Sequence, residues 1–507
     1  MNFGRVSMLL LLTTVACGVQ AADERRPNVV LILADDLGYG DISLQGNKLL
    51  QTPHIDSIGS GGVRFTRGYT SCGACSPSRA GLLTGRYQQR FGFEFLLIPS
   101  LITRAFDGTM VETSGHVIEE IPPGKRVNMA KMGMPPSEIT IAEVLRQSGY
   151  STAAVGKWHV GSAPELKPTN QGFDQFVGFY AAAAKYAPED NPNVVGARLP
   201  WSGLDRIQWR FLTNQLERDG QSHVPDEYLT TYFGRQAARF VEGHADEPFF
   251  LYLAFNAPHA PLQAPKENYD RLDHIADHKT RVYCAMIESM DEAVGMVLDK
   301  LEQAGVADNT LVIFTSDNGA TPYARMPHSN LPFRGGKFTN YQGGVVVPFL
   351  MRWPDRIDKG TVCEVPVSLL DVLPTVAAAA GADLPNDRPI DGANMLPAIG
   401  ISDPQPLHSA FFWRSGRYKC VQSGNWRLHV DETQETMMLY NIAEDVGEKN
   451  NVAAERPLVI AELKVLLAEA EGRFKDPAWP TPVYSKVPID VRAGDPPEDA
   501  ESVFFPL

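Results

Sequence analysis

Residues 28–41 read NVVLILADDLGYGD, and this stretch decides how the rest of the chain is read. Its run from Val29 to Ala34 is apolar without alternation, the pattern of a strand buried on both faces, and it stops abruptly at two acids, Asp35 and Asp36. The same unit recurs downstream. Helix-like SEITIAEVLRQSG (137–149) precedes STAAVGKWHVG (151–161). YLTTYFGRQAARFVEGH (228–244) precedes PFFLYLAFNAPH (248–259), and YCAMIESMDEAVGMVLDKLEQAG (283–305) precedes NTLVIFTSDNG (309–319). Helical pattern, short break and apolar strand in alternation predict an α/β fold, with a large, mostly parallel sheet sandwiched by helices. Ligands of such sheets sit beyond the carboxyl ends of the strands. Each strand named here ends in polar residues capable of chemistry.

Near Asp403 the pattern changes. SAFFWRS, YKCVQSGNWRLHV and MMLYNI are short strands joined by tight polar turns, followed by an amphipathic helix over 458–472 and a Pro-rich tail. They predict a smaller C-terminal α+β domain with an antiparallel sheet. The expected division is 1–22 leader, 23–403 catalytic domain and 404–507 C-terminal subdomain. Two stretches, roughly 96–134 and 180–226, fit no unit and are expected to be substrate-facing insertions. There are no internal repeats.

The opening MNFGRVSMLLLLTTVACGVQAA carries one basic residue, a short apolar run and small residues at its end, which makes it a secretory signal cleaved near Ala21 or Ala22. TVACG offers Cys17 as an alternative lipid attachment site. Either reading places the mature protein in the periplasm or outside the cell, and no stretch is long and apolar enough to span a bilayer. With 507 residues, 44% of them hydrophobic, the chain can build a large core. Its net charge of -14 argues against a nucleic-acid or membrane-surface partner, so an anionic substrate must be drawn by local cations or a metal.

The chemistry-bearing residues fall at the strand ends. Asp35 and Asp36 close one strand, Asp317 and Asn318 another. Oxygen-only ligands suit a hard cation, Ca²⁺ or Mg²⁺, better than zinc, although either pair alone is also compatible with capping a turn. Lys157 and His159 in GKWHVG, His259 in APHAP and Lys337 in RGGKFTNYQGG follow strand or glycine-rich signals. On one sheet rim they would bind a small oxyanion and supply a general acid. Cys75, in TSCGACSPSRAGLLTGRY (70–87), has Arg79 one helical turn away at a predicted helix N-terminus. That setting favours a low-pKa nucleophilic thiol, while a disulfide, to Cys72 or over longer range, remains equally open. Six cysteines, one of them in the leader, leave an odd number in the mature chain.

At this point the residues resemble a known family. CSPSR (75–79), continued by LTGR (83–86), is similar to the signature of type I, formylglycine-dependent sulfatases of the alkaline phosphatase-like superfamily. NVVLILADDLGYGD, GKWHVG, GFDQFVGF, APHAP, TSDNG, RGGKFTNYQGG and LYNIAEDVGEKNNVA follow in that family's order, so the resemblance covers essentially the whole mature chain. It implies that a formylglycine-generating or sulfatase-maturing enzyme oxidises Cys75 to formylglycine, whose aldehyde hydrates to a geminal diol. The four other mature cysteines are then free to pair.

Carried over position by position, the resemblance implies that Asp35, Asp36, Asp317 and Asn318 hold Ca²⁺ (or Mg²⁺) together with an oxygen of residue 75. One diol hydroxyl attacks sulfur with Asp317 as proton acceptor, and Arg79 stabilises the ionised diol. Lys157, Lys337 and His259 neutralise sulfate oxygens, and His259 or Lys337 protonates the departing alcohol. His159 then takes the second hydroxyl's proton as sulfate leaves. One departure stands out: many relatives place glutamate before the paired glycines of the lysine motif, where this chain has Gln342, expected to be structural. Arg325 and His328 are candidate substrate contacts, as are Trp413 and Arg414 of the smaller domain.

LLTGRYQQRFGFE resembles bacterial enzymes acting on sulfated glycans. The favoured reading is therefore a polysaccharide sulfatase, with a marine galactan such as carrageenan as substrate and glycosaminoglycan or aryl sulfates as alternatives. A phosphate or phosphonate ester hydrolase on the same scaffold, and an inactive glycan-binding protein, are the competing functions. Two-zinc phosphatases are disfavoured because their His-rich ligand sets are missing, and no catalytic position is visibly damaged.

Overall fold

The computed structural model describes residues 26–97, 117–118, 127–326, 328–481, 483–489 and 501–506. The leader, Cys17 and most of the 96–134 stretch lie outside these residues. The alternating pattern builds a sheet of eleven strands. Its principal members are β1 (Asn28–Ala34), β2 (Val63–Tyr69), β3 (Ser151–Lys157), β4 (Gln175–Phe179), β5 (Phe249–Ala254), β6 (Thr310–Ser316) and β7 (Val346–Arg352). Their order is β2-β7-β6-β1-β5-β3-β4. From β6 to β4 every pairing is parallel, whereas β7 runs antiparallel to both β6 and β2.

β1 shows why its uninterrupted apolar run was needed. Val30, Ile32 and Ala34 enter one core, and Val29, Leu31 and Leu33 enter the other, all fully buried. Helices supply the two covering layers: α1 (Cys75–Thr84), α2 (Ile141–Gln147), α3 (Leu229–Gly243) and α4 (His278–Gln303). Leu229, Phe233 and Ala237 of α3 and Val282, Met286 and Met290 of α4 pack on the first face. Ala80, Leu82 and Leu83 of α1 and Ile141, Val144 and Leu145 of α2 pack on the second. Burying a side chain of this size contributes about 1.5–3 kcal/mol, which is why continuous apolar runs and period-3.6 stripes specify strands and helices here. α2 starts at a capping box, Thr140 accepting from Glu143 N at 3.1 Å and Glu143 from Thr140 N at 2.8 Å.

Beyond the large sheet, β8 (Phe411–Ser415), β9 (Tyr418–Ser423), β10 (Trp426–Asp431) and β11 (Thr436–Asn441) form an antiparallel meander covered by α5 (Pro457–Glu471). It docks on the large sheet through Phe411, Trp413 and Cys420 against Tyr69, Val345 and Val346. The Pro-rich tail is more ordered than its composition implied: Val483–Pro488 and Ser502–Pro506 pair antiparallel, and residues 117–118 join the first of them. Nor is 180–226 structureless, since it holds strand Val194–Ala197, helix Gly203–Phe211 and an edge hairpin at 216–223.

Candidate active site

The parallel block brings its chemistry to one rim. The carboxyl end of β1 delivers Asp35 and Asp36, β6 delivers Asp317 and Asn318, β3 ends on Lys157, and the turn after β5 carries His259. β2 points the same way and leads through the 70–74 loop into α1, whose first residue is Cys75. β7 is reversed, so its amino end faces the rim and the segment before it contributes Lys337. Three backbone bonds tie these loops together: Phe338 N donates to Gly73 O at 2.7 Å, Lys337 N to Ala320 O at 3.0 Å and Gly319 N to Gly344 O at 3.0 Å. Gly73 must be glycine for this contact, because a Cβ there would lie 2.4 Å from Thr339 O.

The charged groups interlock. Lys157 Nζ lies 2.6 Å from Asp35 Oδ2, and Lys337 Nζ 2.7 Å from Asp36 Oδ1. Arg79 Nε donates to Asp317 Oδ2 at 2.7 Å, its Nη1 donates to Lys157 O at 3.0 Å, and its Nη2 stands 3.7 Å from Asp35 Oδ1. Asn318 Nδ2 donates to Asp36 Oδ1 at 2.8 Å, and His259 Nε2 sits 3.6 Å from Asp36 Oδ2. Cys75 Sγ is 3.9 Å from Asp36 Oδ1. All are buried. Asp36 and His159 hold left-handed backbone, φ 63° and 57°, a conformation that costs a non-glycine residue energy and persists where surrounding structure enforces it.

Ligand atoms of Asp35, Asp36, Cys75 and His259 lie within 4.8 Å of one another. Asp317 stands just outside that group: Arg79 holds Oδ2, and Oδ1 accepts the Asp36 amide at 3.3 Å. Asp35 Oδ1, Asp36 Oδ2 and Asn318 Oδ1 are buried without a hydrogen-bond partner. Orphaned buried oxygens are costly, and three such hard donors in one charged cluster fit an oxygen-seeking divalent cation.

Burial opposes ionisation of Asp35, yet Lys157, His259 and Arg79 overcome it and hold its pKa below the usual carboxylate value. Asp36 behaves likewise, burial being outweighed by Lys337 and His259. At Asp317 burial prevails over Arg79 and the pKa is raised. His159 and His259 are both lowered, first by burial. The low-pKa thiol expected at Cys75 is not found. Burial pushes it up to about 12, Lys157 and Lys337 offset this only in part, and Arg79 is committed to Asp317.

Other expectations are also corrected. Cys72, Cys75, Cys284, Cys363 and Cys420 are all free and buried. Cys72 Sγ faces Ser415 Oγ at 3.9 Å and Cys363 Sγ faces Ala398 O at 3.7 Å, so neither turns toward another sulfur. Trp413 is no substrate contact: it is 1% exposed, donates Nε1 to Thr70 O at 2.8 Å and lies under the Arg427 guanidinium. Arg414 is spent on Glu94 at 2.6 Å and on Lys475 O. Gln342 donates to Val446 O at 3.1 Å, a structural contact. Arg325 and His328 do line one groove, described below.

Two residues of the rim escaped the sequence reading. Asn256, at the end of β5, is buried with both side-chain polar atoms unpartnered. Tyr186 donates to Asn256 O at 2.6 Å and His259 O at 2.8 Å, fixing the histidine turn. The bare dipeptide FN after a buried strand was a signal for Asn256, but nothing local marks Tyr186, seventy residues away.

The sulfatase family model matches residues 27–382. The chain is 32% identical over 501 residues to arylsulfatase A of Homo sapiens, covering 90% of this chain and 89% of that protein. It is 33% identical over 489 residues to steryl-sulfatase of Mus musculus, covering 83% of this chain and 73% of that one. Among solved structures, Ps i-CgsB superposes with a TM-score of 0.75 at 31% identity, covering 90% of this chain and 95% of that chain. A second crystal structure of Ps i-CgsB holds k-i-k-neocarrahexaose.

Proposed function

Given that this chain belongs to the sulfatase family and is a sulfuric ester hydrolase of alkaline phosphatase-like fold, we propose that it removes sulfate from a sulfated galactan of the carrageenan type. The observation that carries the reading is the convergence of Asp35, Asp36, Asp317, Asn318, Arg79, Lys157 and Lys337 on the side chain at position 75. The oligosaccharide bound by Ps i-CgsB supports the choice of substrate class. We assign the chemistry to 23–403, with 404–507 buttressing it, in a protein exported by its leader.

Residue 75 acts as formylglycine, and the Sγ of Cys75 marks where its oxygens lie. At 1% exposure Cys75 is beyond the reach of another enzyme, so the maturing enzyme must act before the chain folds. Ca²⁺ held by Asp35, Asp36, Asp317 and Asn318 would supply Lewis-acid polarisation of a sulfate oxygen. The side chains do the rest. Asp317, its pKa raised, accepts the proton of the attacking hydroxyl while Arg79 keeps its carboxylate aimed. Lys157 and Lys337 are ammonium groups positioned to neutralise sulfate oxygens. His259 donates from Nδ1 to Ala260 O at 2.5 Å and burial lowers its pKa, so Lys337 is the better-placed donor to the departing alcohol. His159 donates from Nε2 to Leu97 O at 3.2 Å, and its Nδ1 has no partner, a neutral imidazole set up as the base for sulfate release.

Sulfate release from a panel of carrageenan, glycosaminoglycan and aryl sulfates tests this, with a phosphate ester sharing the aryl leaving group. Carrageenan oligosaccharides are expected to be cleaved with the highest kcat/KM, and the sulfate ester faster than its phosphate twin. Preference for the phosphate ester, or for a glycosaminoglycan, would overturn it.

A further inference from the structure

Beside the reaction centre runs a groove of about 160 Å³ whose lining includes Arg325, His328, Arg334 and Lys449 and, among the described residues, no acidic one. In a chain of net charge -14 that is an unusual concentration of positive charge. Backbone contacts tie the groove's wall to the loops of the catalytic rim. Its wall contains Ala320, whose carbonyl accepts Lys337 N at 3.0 Å, and Asn330, which bonds both polar groups of Ala320 at 2.8 and 3.0 Å. On the other side Ser329 O accepts from Gly40 N at 2.7 Å, in the loop that follows Asp36.

The groove is also held in shape. Lys279 Nζ donates to the carbonyls of Ala324 and Arg325, both at 2.8 Å, and Arg325 sits in left-handed backbone at φ 52°. The Arg325 guanidinium lies 5.0 Å from the ring centre of Trp201, which is 45% exposed. Lys279 is one helical turn along α4 from Tyr283, whose hydroxyl donates to Asp41 at 2.7 Å and lies 3.5 Å from Asp36 O. A single helix therefore holds both the Ala324–Arg325 backbone and the loop that follows Asp36. Glu501 pairs with Arg334 at 2.5 Å, so Arg325 and Lys449 offer the stronger attraction.

We propose that this groove binds a second sulfate ester of the same chain, on a ring adjacent to the one being desulfated, with Arg325 and Lys449 as its cationic contacts. The proposal rests on the sulfatase reading and narrows it: the substrate is a multiply sulfated glycan, and discrimination comes from a sulfate that is not cleaved. Trp201 sets the edge of the subsite by fixing the Arg325 guanidinium.

The test uses the matured, calcium-loaded enzyme with two carrageenan oligosaccharides of equal length, one singly sulfated and one carrying a second sulfate on the neighbouring ring. The readout is the ratio of kcat/KM for the disulfated to that for the monosulfated probe. Wild type is expected to favour the disulfated probe at least tenfold, and R325A and K449A each to reduce that ratio about fivefold to tenfold. A ratio near one in wild type, or unchanged in both variants, overturns the groove. A wild-type enzyme that releases sulfate from no ester refutes the sulfatase reading instead. Calorimetric binding of the same two probes to wild type and variants then decides the groove separately, equal affinities counting against it.

Discussion

Among the described residues, two buried ion clusters are built differently. In the C-terminal meander Glu448 accepts Gln342 N at 2.7 Å on one oxygen and His429 Nε2 at 2.9 Å on the other, with Arg427 Nε at 3.2 Å. Arg427 also donates to Gln422 at 2.6 Å and to Asn340 O, and His429 Nδ1 meets Tyr418 Oη at 2.9 Å. Both carboxylate oxygens are used, and the atoms left without a hydrogen bond are Arg427 Nε, which is ion-paired, and Asn340 Oδ1. On the sheet rim, by contrast, Asp35 Oδ1, Asp36 Oδ2, Asn318 Oδ1 and His159 Nδ1 are left without hydrogen bonds. A finished cluster fixes the architecture, here by clamping residues 340 and 342 just after Lys337. An unfinished one keeps donors and acceptors for a ligand. Breaking the two should therefore show in different measurements.

The largest effect belongs to the unfinished cluster. His159→Gln removes the unpartnered imidazole nitrogen while retaining a donor for Leu97 O, so kcat should fall by roughly 10²–10⁴, the usual range for a lost general base. The thermal midpoint should barely move; a variant with near-normal kcat would break the assignment. Next comes Glu448→Ala, which strands Arg427 and His429 as buried charges. Urea unfolding should show a loss of about 3–5 kcal/mol, whereas a surface-like loss under 1 kcal/mol would show the clamp to be unimportant.

His429 gives the comparison a pH signature. Burial works against its proton, but Cys420 and Glu448 prevail and raise its pKa from 6.5 to about 9. A group that binds its proton more tightly when folded stabilises the fold in full below pH 6.5, progressively less up to about 9, and not at all above. The swing is on the order of 3 kcal/mol, so unfolding free energy should decline across that window, and Glu448→Gln should flatten the decline. Calcium should act only on the rim. At a hundredfold excess over its Kd it should stabilise the wild type by about 2.7 kcal/mol, measured as a rise in thermal midpoint. An equal shift in an Asp36→Ala, Asp317→Ala double variant would place the ion elsewhere.

Much of this was legible in the chain because function and fold share one signal. A strand buried on both faces must be apolar throughout, so the first polar residues after it mark the rim; that logic located Asp35, Asp36, Lys157, Asp317 and Asn318, whereas after β5 it passed over Asn256 for His259. It failed for β7, where Pro348 interrupts the run and the register shifts between Val347 and Phe349, an irregularity that hides a strand from pattern reading. It failed for Cys75 as well, because proximity of Arg79 in sequence says nothing of the carboxylate that captures it. Trp413 looked like surface reach and proved to be interior, and Arg414 is half-buried in an ion pair, since strand alternation cannot tell which neighbouring sheet covers a face. The clamp from Arg427 and Glu448 joins residues about a hundred positions apart from those they hold, and no local pattern carries such information.

The account turns on what occupies position 75. Mass spectrometry of the tryptic peptide bearing that residue, taken from enzyme that demonstrably releases sulfate, addresses it most directly. An aldehyde that reacts with a hydrazide probe is the predicted result. An intact thiol in fully active enzyme would contradict it, and with it the purpose assigned to every charge gathered around that side chain.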